Sequence, residues 1–531
     1  MRNFHDPGRS AAYASTAMCA TSHPMASLTA VETLKAGGNA MDAALAASAV
    51  LTVVEPHMTG IGGDCFAMIA APDGSLHALN ASGRAPEAAT LEALRAKGVT
   101  SLEMGSAHAV TVPGAIDGWV RLNADWGRKP LAELLTPAIM MAREGTPVAP
   151  RVARDWAAQV DKLSGDEGAR AHLLVDGAAP RVGDVMRYEG LARALEAIAQ
   201  KGRAGFYEGA VAADIIATLQ AGGGLHTHDD LASQASTYVA PIAVDYGGLR
   251  LHELPPNNHG IVALMILRLI ETLKAKVTLP DDPKAAARYH LMIEAARLAY
   301  AARDAFVADP DQADVPVGHL LSDHLIDTLA ARIDPAARTA DLGPIPEPAG
   351  TDTIYLSVVD GDGMAVSFIN SVFSAFGSGI VTREFGFALH NRGQGFSMDA
   401  GHPNVIAPRK RPMHTLVPAI ATKDGQPVLS FGVMGAAFQP IGHAYVMTNM
   451  LDYGMDPQEA LDHPRVFFDG DQVGCERTVP RATIDGLQAM GHDAVYVDDP
   501  WGGGQIVQID RARGTLIGAS DPRKDGIALG Y

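Results

Sequence analysis

The sequence has few cysteines and no long apolar run. Its 531 residues include Cys19, Cys65 and Cys475, which are too scattered for a disulfide framework, and no C-x-x-C pair is present for zinc or redox chemistry. No apolar segment approaches membrane-spanning length, and the N-terminus lacks the apolar core of a secretory signal. We therefore expect a cytoplasmic protein without a membrane partner.

Positive charge is also scarce. Lys and Arg number 42 against 60 Asp and Glu, which gives a formal net charge of −18. Such a chain cannot neutralise phosphates in bulk, so nucleic acid and anionic membranes are not expected partners. Hydrophobic residues make up 47% of the chain, which indicates a globular protein with two ordinary domains or one large layered core.

Common catalytic motifs are missing as well. The sequence has no G-x-S-x-G, no H-E-x-x-H and no Walker A pattern. The glycine-rich "TGIGGDCF" from Thr59 to Phe66 lacks the following Lys-Ser/Thr, so it predicts a tight turn, with Cys65 buried. "ADPDQAD" from Ala308 to Asp314 lacks the glycine and distal glutamate of an EF-hand and predicts a solvated loop. No spacing indicates a metal site or an organic cofactor.

One boundary in the chain is abrupt. Residues 131–329 are mostly helical in pattern, and residues 334–352, "DPAARTADLGPIPEPAGTD", then predict a flexible exposed linker. From Thr353 onward apolar residues alternate, turn at Asp360–Gly363 and alternate back. A hairpin centred on Asp362 places Ser371 beside Thr353, or Asn370 if a bulge shifts the register. Taken alone, this pattern is typical of a surface hairpin with polar ends.

A cut before Thr353 would change the chemistry of that residue. A threonine hydroxyl is a poor nucleophile unless a base takes its proton. A free α-amine has a pKa of about 8, far below about 10.4 for lysine, so an N-terminal threonine carries its own base.

Nine stretches occur in order along nearly the whole chain: "VVEPHMTGIGGDCF", "SGRAP", "VTVPGAIDGW", "DTIYLSVVDGDGMAVSF", "FGSGIV", "NRGQGFS", "RKRPMHTLVPAI", "GVMGAA" and "GASDPR". Taken together, they resemble the γ-glutamyltransferase family of N-terminal-nucleophile hydrolases. The resemblance implies an α/β (α+β) four-layer αββα sandwich and an autocatalytic cut between Asp352 and Thr353. Fragments 1–352 and 353–531 would remain together in one core.

The resemblance also implies the catalytic groups. Thr353 would be the nucleophile of both the cut and the mature enzyme, and Ser371 matches the second hydroxyl residue beside it, in agreement with the hairpin register. Gly435 and Ala436 match the backbone pair whose N–H groups form the oxyanion hole.

Substrate contacts are implied in the same way. Arg84 of "SGRAP" matches the arginine that grips the substrate carboxylate, a task suited to a planar, permanently charged fork. His414 and Thr415 fall where the family has paired serines that help to hold this carboxylate. We add Asn370 as a substrate-binding candidate because the hairpin carries its amide close to Thr353.

Three positions depart from the pattern of enzymes that bind a γ-glutamyl group. Where those enzymes hold the α-ammonium with amides and carboxylates, this sequence has Phe373, Arg392 and Gly395. A phenyl ring, a guanidinium and bare backbone do not favour a second cation. The same substitutions resemble the oxamate amidohydrolase branch, whose substrate is a small carboxylate amide without an α-amine.

The sequence therefore predicts a self-processing amidohydrolase that acts on an oxamate-like substrate through an acyl-enzyme, with Arg392 and His414 assisting Arg84. Alternatives are γ-glutamyl transfer or hydrolysis on glutathione-like donors, removal of a larger dicarboxylic acyl group, and an unprocessed, non-catalytic family member. The acyl group, the choice of water or amine as acceptor, and the presence of a homo-oligomer stay open.

Overall fold

Two seven-stranded sheets form the centre of the molecule, in a computed structural model that describes residues 8–340 and 353–531. The described strands, in chain order, are β1 Ala12–Ala14, β2 Met18–Thr21, β3 Asp64–Ala70, β4 Leu76–Ala81, β5 Thr146–Pro147, β6 Val185–Met186, β7 Thr237–Val239, β8 Ile242–Tyr246, β9 Leu249–Glu253, β10 Ile354–Val359, β11 Ala365–Ser371, β12 Ala419–Lys423, β13 Gln426–Met434, β14 Val466–Asp469, β15 Gln472–Cys475, β16 Asp493–Tyr496, β17 Gly503–Asp510, β18 Thr515–Ser520 and β19 Ile527–Gly530.

Helices cover the outer faces of these sheets. In chain order they are α1 Pro24–Lys35, α2 Ala40–Val54, α3 Leu91–Ala96, α4 Ala115–Trp126, α5 Leu131–Glu144, α6 Pro150–Ala157, α7 Val160–Ser164, α8 Glu167–His172, α9 Glu189–Lys201, α10 Ala204–Tyr207, α11 Gly209–Ala221, α12 His228–Ala232, α13 Gly260–Lys274, α14 Ala286–Phe306, α15 Val317–Leu320, α16 Asp323–Ala330, α17 Gln439–Leu451, α18 Pro457–Asp462 and α19 Arg481–Ala489.

The four layers follow from the packing of these elements. The first sheet has the order β1-β18-β17-β13-β12-β9-β8, and the second has the order β19-β2-β10-β11-β3-β4-β7. Strands β10 and β11 of the second sheet pack on β13 of the first, α2 packs on β10 and β11 from outside, and α13 and α17 pack on the first sheet. The predicted αββα sandwich is confirmed.

Helix α2 of the outer layer packs closely against its neighbours because most of its side chains are small. All fifteen of its residues are buried, and twelve of them are alanine, valine, leucine or methionine, so the helix packs closely between the sheet and neighbouring helices. Asn39 and Asp42 form a reciprocal capping box at its start. The two side chains accept N–H groups that would otherwise be buried without a hydrogen-bond acceptor.

The hairpin β10–β11 has the predicted register, but its position differs from the surface interpretation. Ile354 pairs with Asn370 and Val359 with Ala365, centred on Asp362. Every residue of both strands is buried, because β2 and β3 flank the hairpin on either side. The interpretation as a surface hairpin is therefore wrong.

Residues 131–329 are less uniformly helical than their pattern predicts. The segment includes β7, β8 and β9, which extend the two sheets at their edges, and the sequence reading missed these strands. In the described part of the linker, residues 334–340, the chain is largely exposed, and the side chains of His290 and Glu294 on helix α14 hydrogen-bond its backbone at Asp334 and Thr339. Residues 341–352, including Asp352, lie outside the described residues.

No helix among residues 8–340 and 353–531 combines the length and apolarity needed to cross a lipid bilayer.

Candidate active site

Thr353 lies at the entrance of β10 and is fully buried. Its Oγ1 atom is 3.1 Å from Oγ of Ser371, the last residue of β11. Ser371 Oγ also accepts the backbone N–H of Phe373 at 2.8 Å. The hairpin thus brings the predicted nucleophile and its hydroxyl partner together and ties both to the turn that follows β11.

The glycine turn before β3 supports the same strand end. A Cβ atom on Gly63 would lie 2.2 Å from the backbone oxygen of Ser371, so only glycine fits there. Asn370 braces this turn: its Nδ2 donates to Thr59 Oγ1 at 2.7 Å and to the Gly60 carbonyl at 3.2 Å. Its Oδ1 accepts from the indole of Trp119. Both ends of the amide have partners, so Asn370 braces the turn, and its predicted substrate contact stays a prediction.

Gly435 and Ala436 form a strained turn between β13 and α17. Their φ angles are 125° and 45°, both in the left-handed region, and Gly435 accepts the N–H of Phe438 to close the turn. A Cβ on Gly435 would lie 2.9 Å from Cα of Gly502. Backbone N–H groups at such a turn, immediately before a helix, favour negative charge. Ser357 of β10 contacts Ser430 of β13 and the ring of Tyr355 lies against Gly432, so β13 runs toward the Thr353 end of β10 before it reaches this turn.

Arg392 is the unusual group of this region. It is 1% exposed, and its Nη1 donates to Thr415 Oγ1 at 2.7 Å while Cζ lies 4.1 Å from the ring centroid of Phe373. Its Nε and Nη2 have no hydrogen-bond partner among the described residues. Burial lowers its pKa to about 9, against the opposing effect of Asp64, so the group stays charged at neutral pH. Two donors on one edge of a buried cation are therefore unsatisfied, and an anion would satisfy them.

Phe373 adopts a strained backbone conformation where its ring contacts Arg392. Its φ of 79° is rare for a bulky side chain, and its N–H is fixed by Ser371. The phenyl ring thereby covers one face of the guanidinium. Gly395 is the last residue of the short 3₁₀ helix Arg392–Gly395. A Cβ atom on Gly395 would lie 2.8 Å from the Met413 carbonyl oxygen.

Asp64 organises the region and was missed by sequence reasoning. This fully buried carboxylate accepts the N–H groups of Gly83 at 2.9 Å and Gly114 at 3.1 Å. His414 Nε2 lies 3.1 Å from it and His390 Nδ1 lies 3.2 Å from it. Burial alone would raise the pKa of Asp64, but the two histidines hold it well below its usual range. Its place directly after the double glycine was the available signal.

His414 has no ring nitrogen left for a substrate. Nδ1 accepts the N–H of Leu416, so Nε2 carries the proton and donates to Asp64. Burial and then Arg392 lower the pKa of His414 to about 3, so the ring is neutral at pH 7. The ring of His414 thus contacts Asp64 and Leu416, whereas the hydroxyl of Thr415 accepts from Arg392, and the predicted substrate contacts of both residues stay predictions.

Arg84 contacts a different set of residues. Its guanidinium donates to the Arg409 carbonyl at 2.9 Å and forms ion pairs with Asp309 and Asp311 at 3.5 and 3.1 Å. The structure does not unite it with Thr353, Ser371 or Arg392 through any contact of the described residues. The predicted solvated loop is also wrong at Asp309, which is 1% exposed and accepts the backbone N–H of Arg411.

Comparison with known proteins agrees with this geometry. The family model described as Gamma-glutamyltranspeptidase matches residues 26–531. This chain belongs to the γ-glutamyltranspeptidase family. It is 36% identical over 523 residues to the glutathione hydrolase-like YwrD proenzyme of Bacillus subtilis, covering 97% of this chain and 98% of that protein. It is also 36% identical over 530 residues to the oxamate amidohydrolase proenzyme of Klebsiella pneumoniae, with the same coverage of 97% and 98%.

A solved structure extends the likeness to the fold. The cephalosporin acylase of Bacillus halodurans superposes with a TM-score of 0.92 at 41% identity, covering 100% of this chain and 98% of that one. The family member described here is therefore an enzyme with the N-terminal-nucleophile hydrolase fold, and its relatives are made as proenzymes.

Proposed function

We propose that this family member is a self-processing amidohydrolase that uses Thr353 as its N-terminal nucleophile. It cleaves the amide bond of a small carboxylate-bearing substrate of the oxamate type, and water resolves the acyl-enzyme. The observation that carries the proposal is the buried guanidinium of Arg392, which has two unsatisfied donors and is linked to the Thr353–Ser371 pair through Phe373. A substrate carboxylate would accept both donors and neutralise the charge.

Arg392 takes the role that sequence reasoning gave to Arg84. Both are arginines, but Arg84 already has two carboxylates as partners, whereas Arg392 has a hydroxyl and an aromatic face. An α-ammonium at this place would meet the cation of Arg392 without an acidic partner, which disfavours γ-glutamyl donors. A small acid amide without an amine meets no such repulsion.

The processing step begins with attack of the Thr353 hydroxyl on the carbonyl carbon of Asp352. The C–N bond to Thr353 breaks, the amine takes the proton, and an ester joins the two fragments. Water then hydrolyses this ester, which leaves a carboxylate on Asp352 and a free α-amine on Thr353. Ser371 hydrogen-bonds the hydroxyl and orients it.

Turnover reuses the same groups. The α-amine takes the proton as Thr353 Oγ1 attacks the substrate amide, and the N–H groups of Gly435 and Ala436 stabilise the oxyanion. The proton passes to the leaving nitrogen, ammonia departs, and an acyl ester remains on Thr353. Water attacks the ester with the α-amine as base, and the dicarboxylic product leaves. No step requires a metal or an organic cofactor.

A substrate screen tests the proposal. Purified protein should resolve on a denaturing gel into fragments of 352 and 179 residues (531 − 352), and Thr353→Ala should give a single band and no turnover. The processed protein is then assayed for ammonia release from oxamate and glutamine, and for product release from glutathione and glutaryl amides. We expect turnover of oxamate and no turnover of glutathione.

Three outcomes would contradict the proposal. Preference for glutathione over oxamate would show a γ-glutamyl enzyme, and preference for glutaryl amides would show an acylase of larger dicarboxylic groups. A wild-type chain that stays whole through long incubation would reject the catalytic assignment altogether.

A further inference from the structure

A buried tyrosine on helix α14 contacts the turn that carries the proposed oxyanion hole. Tyr300 is fully buried, and its hydroxyl donates to the backbone carbonyl of Ala437, the residue directly after Ala436. Burial raises the pKa of Tyr300, so the hydroxyl keeps its proton and acts as a donor. Tyr300 has no part in the proposed steps of turnover.

Two peptide groups connect the Tyr300 hydroxyl to the Ala436 N–H. The Ala437 carbonyl and the Phe438 N–H belong to one peptide group, and this N–H donates to the Gly435 carbonyl at 2.8 Å. The Gly435 carbonyl in turn shares its peptide group with the Ala436 N–H. Because a trans peptide group is planar and its N–H points away from its C=O, each hydrogen bond fixes the direction of the next donor. We call this chain of hydrogen bonds the tyrosine relay, and it ends at an N–H proposed for the oxyanion hole.

The turn at the end of the tyrosine relay is strained and needs support from outside. The φ angles of Gly435 and Ala436 are 125° and 45°, and alanine rarely adopts the left-handed region. Such a conformation persists where the surrounding contacts over-determine it. A Cβ atom on Gly435 would lie 2.9 Å from Cα of Gly502, so the turn is tightly packed there. Steric contact limits the movement of the turn, whereas the hydrogen bond from Tyr300 sets the orientation of its peptide groups.

Packing fixes the ring of Tyr300 independently of its hydroxyl. The ring centroids of Phe467 and Phe468 in β14 lie 6.0 and 5.6 Å from the centroid of the tyrosine ring. The guanidinium carbon of Arg303, on the same helix, lies 4.8 Å from this centroid. A close-packed ring has few alternative positions, so its hydroxyl is directed at the Ala437 carbonyl. A phenylalanine at position 300 would keep these ring contacts.

We propose that Tyr300 is a positioning residue for the oxyanion hole, which orients and polarises the Ala436 N–H through the tyrosine relay. The inference rests on the proposed function, in which this N–H stabilises the oxyanion. Hydrogen bonds in a chain polarise one another, so a bond to the Ala437 carbonyl strengthens the donors that follow it. An N–H that is already oriented also needs no reorganisation when negative charge develops on the substrate oxygen.

Tyr300→Phe tests the tyrosine relay, because it removes the hydroxyl and keeps the ring. Tyr289→Phe is the matched control. Tyr289 lies eleven residues earlier on the same helix, about 16 Å along its axis, and is also fully buried. Its hydroxyl donates to the Pro464 carbonyl at 2.8 Å. Each variant removes one buried hydrogen bond to a backbone carbonyl, so the two should lose similar stability.

Processed wild-type protein and both variants are assayed for ammonia release from oxamate, with kcat and KM determined separately and melting temperatures recorded. We expect Tyr300→Phe to lower kcat by about tenfold and to keep KM within about twofold, because the affected donor acts in the transition state. The loss should be smaller than the roughly 100-fold or more caused by removal of an oxyanion donor, since the Ala436 N–H remains. Tyr289→Phe should keep the wild-type kcat despite a similar fall in melting temperature.

The outcomes separate this inference from the proposed function. Wild-type kcat in Tyr300→Phe, or an equal loss of kcat in Tyr289→Phe, would overturn the inference and leave the proposed function intact. If the wild-type enzyme turned over another amide of the screen but not oxamate, the proposed substrate would be wrong, and the same comparison on that amide would decide the role of Tyr300. A wild-type chain that stays uncut, or that turns over no amide, would overturn both.

Discussion

At the scale of single residues, the proposed function depends on how two arginines are paired. Arg84 is about a quarter exposed and forms ion pairs with two aspartates, so its positive charge is already compensated. Arg392 is buried and forms no ion pair with a carboxylate among the described residues. Its Nη1 donates to the Thr415 hydroxyl, and the Phe373 ring covers one face of the guanidinium. A protein tolerates such a group where binding of a ligand repays the cost of burial.

Substitution of the two arginines should therefore have unequal effects. We expect Arg392→Met to lower kcat/KM on a small carboxylate amide by about 100-fold, because two charge-assisted hydrogen bonds are lost. Its melting temperature should hold or rise, since methionine removes an unpaired buried charge. Arg84→Met, the matched control, should change kcat/KM by less than about threefold, because its ion pairs are partly exposed. Initial-rate kinetics and thermal melts on processed protein provide both measurements, and the reverse order of effects would restore Arg84 as the carboxylate ligand.

At the scale of elements, the hairpin β10–β11 depends on its turn. Asp360 is 7% exposed, and its carboxylate accepts the N–H groups of Asp362 and Met364, both at 3.0 Å. It also accepts the N–H of Ala40 at 2.8 Å, at the first residue of α2. One side chain thus closes the turn and docks the hairpin on the helix that covers it.

Removing this carboxylate should destabilise the fold. We expect Asp360→Ala to lower the free energy of unfolding by about 3 kcal/mol, because three N–H groups lose their acceptor in a buried turn. Asp362→Ala, two residues away, should cost less than about 1 kcal/mol, since its carboxylate pairs with Arg128 at the surface. Denaturant titrations of the Thr353→Ala precursor give both values without interference from processing. Equal losses in the two variants would show that the turn's hydrogen bonds do not dock the hairpin.

At the scale of the whole molecule, the two proposed fragments share both sheets. In the second sheet, β10 and β11 from residues 353–531 lie between β2 and β3 from the preceding part of the chain. In the first sheet, β12 pairs with β9 and β18 pairs with β1 across the same division. Ser357 Oγ also donates to Ser430 Oγ at 2.7 Å between the sheets. β19 also pairs with β2 across the division, so separation would break five strand pairings, and a cut chain should remain one folded unit.

Buried neutral histidines make the whole fold sensitive to acid. Burial lowers the pKa of His414 to about 3 and that of His226 to about 4. An unfolded chain binds a proton on each below about pH 6.5, while the folded chain does not, so stability falls as pH decreases from there. For His414 this loss is about 2 kcal/mol between pH 7 and pH 5.

We expect the melting temperature to fall steadily from pH 7 to pH 5. His226→Gln should flatten this dependence, because the amide can donate to the Val110 carbonyl as the ring does but does not titrate. His228→Gln is the matched control, since His228 is exposed and two residues away. Thermal melts in buffers of constant ionic strength make the comparison. Identical pH slopes for the two variants would contradict the assignment of acid sensitivity to buried rings.

Prediction from sequence succeeded where the deciding contacts are local. The alternation after residue 353 and the Asp-Gly turn are sufficient to place Ile354 opposite Asn370, because a two-residue period and a short turn leave one register that buries the apolar face. The nine matching stretches indicated the four layers. The strands β7 to β9 were missed, since short edge strands within helical surroundings carry a weak periodic signal.

By itself, then, the sequence determined the family, the αββα architecture and the pairing of the Thr353 strand with the Ser371 strand. Only the tertiary structure decided that Arg392 is unsatisfied while Arg84 is paired, that Asp64 holds His414, and that Thr339 is gripped by helix α14. The physical reason is that a charge acquires its role from whichever donors and acceptors surround it. Those partners come from segments far apart in the chain, and only folding brings them within hydrogen-bond distance.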